Sequence, residues 1–237
     1  MVKETAMTKN LRRFLAAVRD LQDRSPGIEG MGLVWGLPGE GKSTAITFTT
    51  NTVDGIYINV LRDWSPVSLL GALMIELGMD PLRIRAQMVD FIVKKLMEQP
   101  RPIFVDEAQR LSEHMMGSLR DVYDLTGCPL MLIGDERLAR NTQTRGRFAR
   151  RITQWIEFRG IDLDDTRAVA AETCEVAVAD DLLAHLHQAA RANVGRVTSG
   201  LAAIEKFGKS NGLDTVSMAD WGDRQLFFDQ PKFRRGR

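Results

Sequence analysis

The chain has 237 residues, of which 44% are hydrophobic and 27% charged, and its formal net charge is +1. That balance excludes a disordered chain and a membrane-embedded one, and it leaves room for one ordinary domain plus a small second one. A charge so close to zero also excludes attraction to nucleic acid through an overall positive field, so any such binding must use local basic patches.

From the N-terminus, Leu11, Phe14, Leu15, Val18 and Leu21 recur at helical spacing, with Arg12, Arg13 and Arg19 elsewhere around the circumference. This pattern predicts an amphipathic helix over about 8–24, docked on the body of the protein. The segment lacks the apolar stretch of a signal peptide, and no window reaches the length of a membrane span. A cytoplasmic protein with no membrane partner is therefore expected. Cys128 and Cys174 lie far apart without metal-type spacing, which suits packing roles in a reducing compartment.

Strands are predicted at "MGLVWG" (31–36), "GIYINV" (55–60), "RPIFVDE" (101–107), "PLMLIG" (129–134) and "QWIEF" (154–158). Their uninterrupted apolar character suits strands buried on both faces of a parallel sheet. Between them the pattern predicts a helix after Lys42, then helices from about Pro66 to Leu77, Leu82 to Glu98 and Ser112 to Leu125. The expected fold class is α/β, a parallel five-stranded sheet flanked by helices. After Gly160 the texture turns helical with no convincing strand, and Asp164 and Asp180 are the expected N-caps. Residues 1–160 are thus read as the α/β core, and 161–237 as a small all-helical domain ending in the basic tail "PKFRRGR".

In "GLPGEGKST", Gly36, Gly41, Lys42 and Ser43 satisfy G-x-x-x-x-G-K-[ST], placed after a strand and before a helix. Such a loop binds polyphosphate with converging backbone N–H groups, and a side chain at Gly39 or Gly41 would obstruct that approach. The helix that follows points its positive end at the phosphates. Lys42 supplies a point charge for the β and γ phosphates, and the Ser43 hydroxyl can ligate Mg²⁺. The ligands implied are a nucleoside triphosphate and Mg²⁺, with Gly36, Pro38, Gly39, Glu40, Gly41, Lys42, Ser43 and Thr44 as the nucleotide-binding candidates.

"PIFVDEAQRL" then places Asp106 and Glu107 at the end of an apolar strand. Asp106 is the candidate second metal holder, and Glu107 the candidate base that orients and deprotonates the attacking water. The next strand ends in Asp135 and Glu136, where a polar residue can reach the γ-phosphate or that water. "TRGRFARRITQWIEF" carries Arg145, Arg147, Arg150 and Arg151. One such guanidinium, delivered by a neighbouring subunit, stabilises the transferring phosphoryl group, and Arg147 beside Phe148 is the candidate.

Together these residues resemble the AAA+ ATPases. "GLPGEGKST" is similar to their Walker A, "IFVDEAQ" to their Walker B and "GRF" to the segment that carries the arginine finger. "NVGRVTSGL" is similar to their sensor-2 helix, with Arg196 as its arginine. The resemblance implies an AAA+ core with a helical lid, Mg²⁺-dependent ATP hydrolysis, and catalytic roles for Glu107, Arg147 and Arg196. Sensor 1 of the family is Asn, Thr or Ser; this strand ends instead in Asp135, a carboxylate that needs metal or arginine beside it near a triphosphate.

Within the AAA+ proteins the order of elements resembles the transposition-helper ATPases, the group that includes the phage Mu B protein. That likeness implies an ATP-bound form that assembles head to tail as a filament on duplex DNA and contacts a transposase or integrase. For DNA, Arg62 follows the second strand, where this family places channel-facing loops. Arg83 and Lys94 fall within about 20° of each other on one helix, with Lys95 beside them. No aromatics interleave with these charges, so phosphate contacts are expected rather than base stacking. Two other readings are a secretion-associated AAA+ ATPase that remodels protein partners without DNA, and a phosphotransferase acting on a small molecule.

Overall fold

Strands β1 (Met31–Trp35), β3 (Ile103–Asp106) and β4 (Leu130–Gly134) are the uninterrupted apolar runs, and nearly every residue in them is buried. The computed structural model describes residues 5–144 and 146–227, the side chain of Arg147 excepted. Those three strands lie inside a five-stranded parallel sheet in the order β2-β3-β4-β1-β5, with β2 (Ile56–Asn59) and β5 (Ile152–Glu157) at its edges. A residue in the middle of such a sheet meets helices on both faces, which is why only the inner strands read as continuous hydrophobic segments. Strand β5 begins two residues earlier than its apolar run suggests, because a bulge opposite Met31 and Gly32 takes in Ile152 and skips Thr153.

Helices α2 (Lys42–Thr52), α3 (Pro66–Glu76), α4 (Arg85–Glu98), α5 (Glu113–Thr126), α6 (Glu136–Thr144) and α7 (Gly146–Ala149) supply the connections. Helix α1 (Lys9–Gln22) buries Leu11, Phe14, Leu15, Val18 and Leu21, and the Phe14 ring meets Phe104 and Phe158 edge-on at 6.0 and 6.1 Å. Chain order and spatial order differ at one place. The path leaves β1 for the far edge at β2, steps back through β3 and β4, and finishes beyond β1 at β5. The carboxyl ends of β1, β3 and β4 are therefore neighbours, the crevice where α/β sheets bind ligands.

Residues 10–159 form this sheet-based unit, and residues 160–227 together with 5–9 form a second, mostly helical one. The N-terminal residues thus depart from the expected division. Ala6 sits in the helical unit's apolar cluster, and Lys9 donates its backbone N–H to Asp165 and pairs its ammonium with Asp162. Helices α8 (Leu163–Thr173), α9 (Asp180–Ala190), α10 (Val194–Ser210) and α11 (Met218–Trp221) enclose Leu182, Leu186, Val197, Leu201 and Ile204. Strands β6 (Ala177–Val178) and β7 (Thr215–Val216) pair in parallel there, where no strand was predicted. Two-residue strands made by distant pairing leave no periodicity to read.

Both N-cap assignments shift. Asp162 caps α8 by accepting the Asp165 N–H, while Asp164 lies in the first turn. Ala179 holds the cap position of α9, and Asp180 is its first residue, paired with Arg167 at 2.7 Å.

Candidate functional site

Between β1 and α2 the backbone turns sharply, with Gly39 at φ 81° and Gly41 at φ 86°, both in the left-handed region that glycine tolerates. Gly41 occupies the cap position of α2, and no side chain caps that helix. Its first amide groups are therefore left for an anion. The approach at Gly36 is closer still: a Cβ there would lie 2.5 Å from Glu40 Oε2 and 2.7 Å from the Phe158 carbonyl oxygen. An uncapped helix start behind a side-chain-free cradle fits a polyphosphate.

Lys42 donates its ammonium to the Gly36 and Leu37 carbonyls at 2.7 and 2.8 Å, bending back over its own loop. Burial lowers this ammonium below the ordinary lysine value, and the carboxylates of Glu40, Asp106, Glu107 and Asp135 oppose that shift. The structure thus brings together residues separated by nearly a hundred positions in the chain. Ser43 and Thr44 are exposed in the first turn of α2, and Pro38 is exposed at the loop's outer edge.

Glu40 is 9% exposed and accepts the Leu37 N–H at 2.6 Å. Burial raises its carboxyl above the ordinary glutamate value, with Glu157 adding to the effect and Leu37 and Lys42 opposing it. A folded-state value above the unfolded one means that folding takes up a proton, so this stability is complete at low pH and lost as pH rises through the window above the ordinary value. Glu40→Gln removes that slope. The difference in melting temperature between variant and wild type, followed from about pH 4 to pH 7, is expected to shift in the variant's favour as pH rises.

Asp106 ends β3, accepting the Glu107 N–H at 2.8 Å through Oδ1 and the Tyr57 hydroxyl at 3.1 Å through Oδ2. Burial and the Asp106 carboxylate push the Tyr57 phenol up to about 12, so it stays a donor. Glu107 adopts φ 55°, a conformation that costs a non-glycine residue strain and recurs at functional sites. Its Oε2 accepts from Gln109 Nε2 at 2.9 Å and pairs with Arg110 Nη2 at 2.8 Å. Sequence reading missed Tyr57, Gln109 and Arg110. The "AQR" after Asp106 and Glu107 folds as a single 3₁₀ turn, Ala108–Arg110, that swings both side chains back onto Glu107.

Asp135 carries the arginine that the sequence demanded. Arg137 contacts its Oδ2 at 2.8 Å through Nε and 2.6 Å through Nη2, while Oδ1 accepts the Arg137 N–H that opens α6. Burial alone would raise the Asp135 carboxyl, but Arg137 and the backbone donors outweigh it and hold it below the ordinary range. Arg147 lies on α7, its side chain outside the described residues, as is Arg145 altogether. Arg150 is exposed; Arg151 is committed to Asp124 within the same chain and stands 5.9 Å over the Tyr123 ring. Arg196 belongs to the helical unit, in the first turn of α10, where it stacks 4.3 Å over Phe227 and donates to the Ala189 carbonyl.

Arg83 and Lys94, expected on one helix face, do not lie on one helix. Arg83 precedes α4, whose cap position is Ile84, so it shares no helix face with Lys94. Lys94 and Lys95 sit in the last turns of α4, near the level where β3 starts; Leu96 contacts Cys128 just ahead of β4. Arg62 is exposed in the turn that leaves the opposite, carboxyl end of β2.

Residues 27–141 match a family profile described as an AAA domain. No curated protein matches the chain. Among solved structures it is similar to Cdc6p of Pyrobaculum aerophilum, at 16% identity and TM-score 0.65 over 86% of this chain and 62% of that one. It is similar also to the ORC2 protein of Aeropyrum pernix, solved as ADPNP and ADP complexes, at 14% identity and TM-score 0.67 over 92% of this chain and 68% of that one. The A. pernix ORC1 protein, solved in complex with DNA, matches at 14% identity and TM-score 0.61 over 91% of this chain and 63% of that one. The chain thus spans about two thirds of the length of these relatives. The shared feature is the fold, a parallel five-stranded sheet flanked by helices. Among the described residues no helix is long and apolar enough to cross a membrane.

Proposed function

We propose that this chain is an ATP-dependent, DNA-associated ATPase of the transposition-helper type, acting in the cytoplasm. It binds ATP in the phosphate loop, assembles on duplex DNA with ATP at the boundaries between copies, and hands the target to a transposase or integrase. One observation carries the ATPase part: Lys42 lies in the field of the Asp106, Glu107 and Asp135 carboxylates, at the joined ends of β1, β3 and β4. Likeness of fold to an ORC1 protein solved on DNA, and the exposed Arg62 beside the site, support the DNA part.

In this reading Lys42 and the first amides of α2 hold the β and γ phosphates. Ser43 and Asp106 would hold Mg²⁺, which when bound offsets charge on the transferring phosphoryl group. Glu107 takes the proton of the attacking water, and Tyr57 fixes the Asp106 carboxylate beside it. Arg147 of one copy meets the γ-phosphate held by the next, and Arg196 senses the nucleotide.

Salt dependence of duplex binding tests the reading. ATP-dependent binding is expected to weaken steeply with salt, and Arg62→Ala lowers the slope of log K against log salt by about 1 per contact removed. Lys94→Ala and Lys95→Ala, at the other end of the strands, leave the slope unchanged. Duplex binding that ignores both ATP and salt would instead favour a protein-remodelling ATPase.

A further inference from the structure

Three guanidiniums and an imidazole meet at one cavity inside the helical unit. It has a volume of about 490 Å³, and His185, Arg191, Arg196, Arg224, Leu226 and Phe227 are among its walls. No acidic residue lines it. Among the described residues no carboxylate pairs with Arg191, Arg196 or Arg224. Arg167 of the same unit shows the contrast, since it holds Asp164 and Asp180 at 2.7 Å each.

The cations are held in place before any ligand arrives. Arg191 and Ala192 follow each other at φ 54° and 58°, both left-handed without being glycine. Such strain persists only where the surroundings fix it. Here the Ala192 carbonyl accepts the Ile161 N–H at 2.8 Å, and Gly160 makes room, because a Cβ there would lie 2.9 Å from the Ala192 Cβ. Arg196 stacks 4.3 Å over Phe227 and Arg224 4.4 Å over Phe207. A stacked guanidinium lies flat with its edge donors fixed, so it loses less freedom when it meets an anion. Arg224 Nη1 donates to the Asp220 and Trp221 carbonyls at 3.2 and 2.5 Å, leaving Nε and Nη2 for a ligand.

We propose that this cavity binds a small organic phosphate, its phosphate held by Arg191, Arg224 and His185 and its apolar body received by Leu226 and Phe227. A phosphate has oxygens enough for two guanidinium forks, whereas a carboxylate offers a single pair. The volume falls in the range of small-molecule sites, and the apolar wall sets the cavity apart from a row of charges along a nucleic-acid backbone. The sequence after Phe227, "FDQPKFRRGR", carries four cationic side chains against one acidic, so it does not complement the cavity. The site is separate from the phosphate loop, which belongs to the sheet-based unit. Arg196 is not needed for the phosphate, because its Nη2 donates to Ala189 and its plane covers Phe227.

The test titrates the full chain with naphthyl phosphate, a flat ring bearing one phosphate, in saturating MgATP and follows the probe's fluorescence. Wild type is expected to bind it with a Kd of about 0.1–1 mM, and naphthol, which lacks the phosphate, at least about tenfold more weakly. Arg191→Asn removes one cation at a left-handed position that asparagine tolerates, and it weakens binding about 10- to 150-fold. Arg224→Gln acts alike, and Arg224→Lys recovers only part of the loss because it lacks the fork. Lys42→Ala binds the probe as wild type does. Arg191→Asn keeps the wild-type ATP turnover and melting temperature.

Probe binding that survives both Arg191→Asn and Arg224→Gln overturns the proposal, as does displacement of the probe by further ATP. Inorganic phosphate that competes as well as naphthyl phosphate removes the organic body from the ligand. Displacement by duplex DNA, with Arg191→Asn weakening the duplex as well, assigns these arginines to nucleic acid instead.

Discussion

Glu107→Gln lowers kcat for ATP hydrolysis by about 10²–10⁴-fold, the contribution of a positioned general base, while the Kd for ATP stays within about threefold. The amide keeps the shape of the side chain and can still accept from Gln109 and Arg110 through its oxygen. It cannot take a proton from water. Nor does the substitution disturb the backbone at φ 55°, because the strain there belongs to the turn between β3 and the 3₁₀ segment. Bound ATP then persists, and the assemblies proposed on duplex DNA accumulate rather than dissolve. Steady-state turnover, nucleotide titration and electron microscopy with ATP and duplex measure the three effects. Turnover within a few fold of wild type removes Glu107 from its role; a variant that stays monomeric with ATP and DNA removes the assembly.

Which parts of this site were legible follows from how each residue gets its place. The phosphate loop is local. Gly39, Gly41 and Lys42 act through one turn of backbone and the start of one helix, so spacing alone identifies them. Asp106 and Asp135 are nearly as local, because each ends a buried strand whose apolar run points at it. Tyr57 and Arg110 are different. Their roles exist only because β2 pairs with β3 in a register that sets Asn59 opposite Asp106, and no pattern within either segment specifies that register.

The placement of Arg83 on the helix of Lys94 failed for a related reason. "DPLRIRAQM" offers no Ser, Thr or Asn to mark a cap after Pro81, and the helix begins at Arg85 behind Ile84 without any side-chain cap. In "IDLDDT" three aspartates compete for one cap position. Asp162 takes it, while Asp164 turns outward to Arg167 at 2.7 Å. Long-range partners, not propensity, decide such cases.

Lys42→Ala cuts the stabilisation that ATP gives the wild type to about half or less and leaves the nucleotide-free protein as stable as before. The two halves of that expectation come from one side chain. Without nucleotide, the ammonium is partly desolvated, and its two hydrogen bonds to Gly36 and Leu37 carbonyls only offset that cost. Alanine relieves the desolvation and gives up two hydrogen bonds of comparable worth, so the net change in melting temperature is small. With nucleotide the balance reverses. The triphosphate meets Glu40, Asp106, Glu107 and Asp135 with no cation from the loop between them. Losing charge-assisted contacts worth about 1.5–3 kcal/mol raises the Kd about 10- to 150-fold, before any repulsion is added. At an ATP concentration about 100 times the wild-type Kd, wild type gains about 2.7 kcal/mol and the variant well under 2. Thermal unfolding with and without MgATP reads this directly, and an equal shift in both proteins shows that the triphosphate binds elsewhere. A variant that instead unfolds early without ligand assigns Lys42 to holding the loop rather than the phosphates, since only the phosphates distinguish the two conditions.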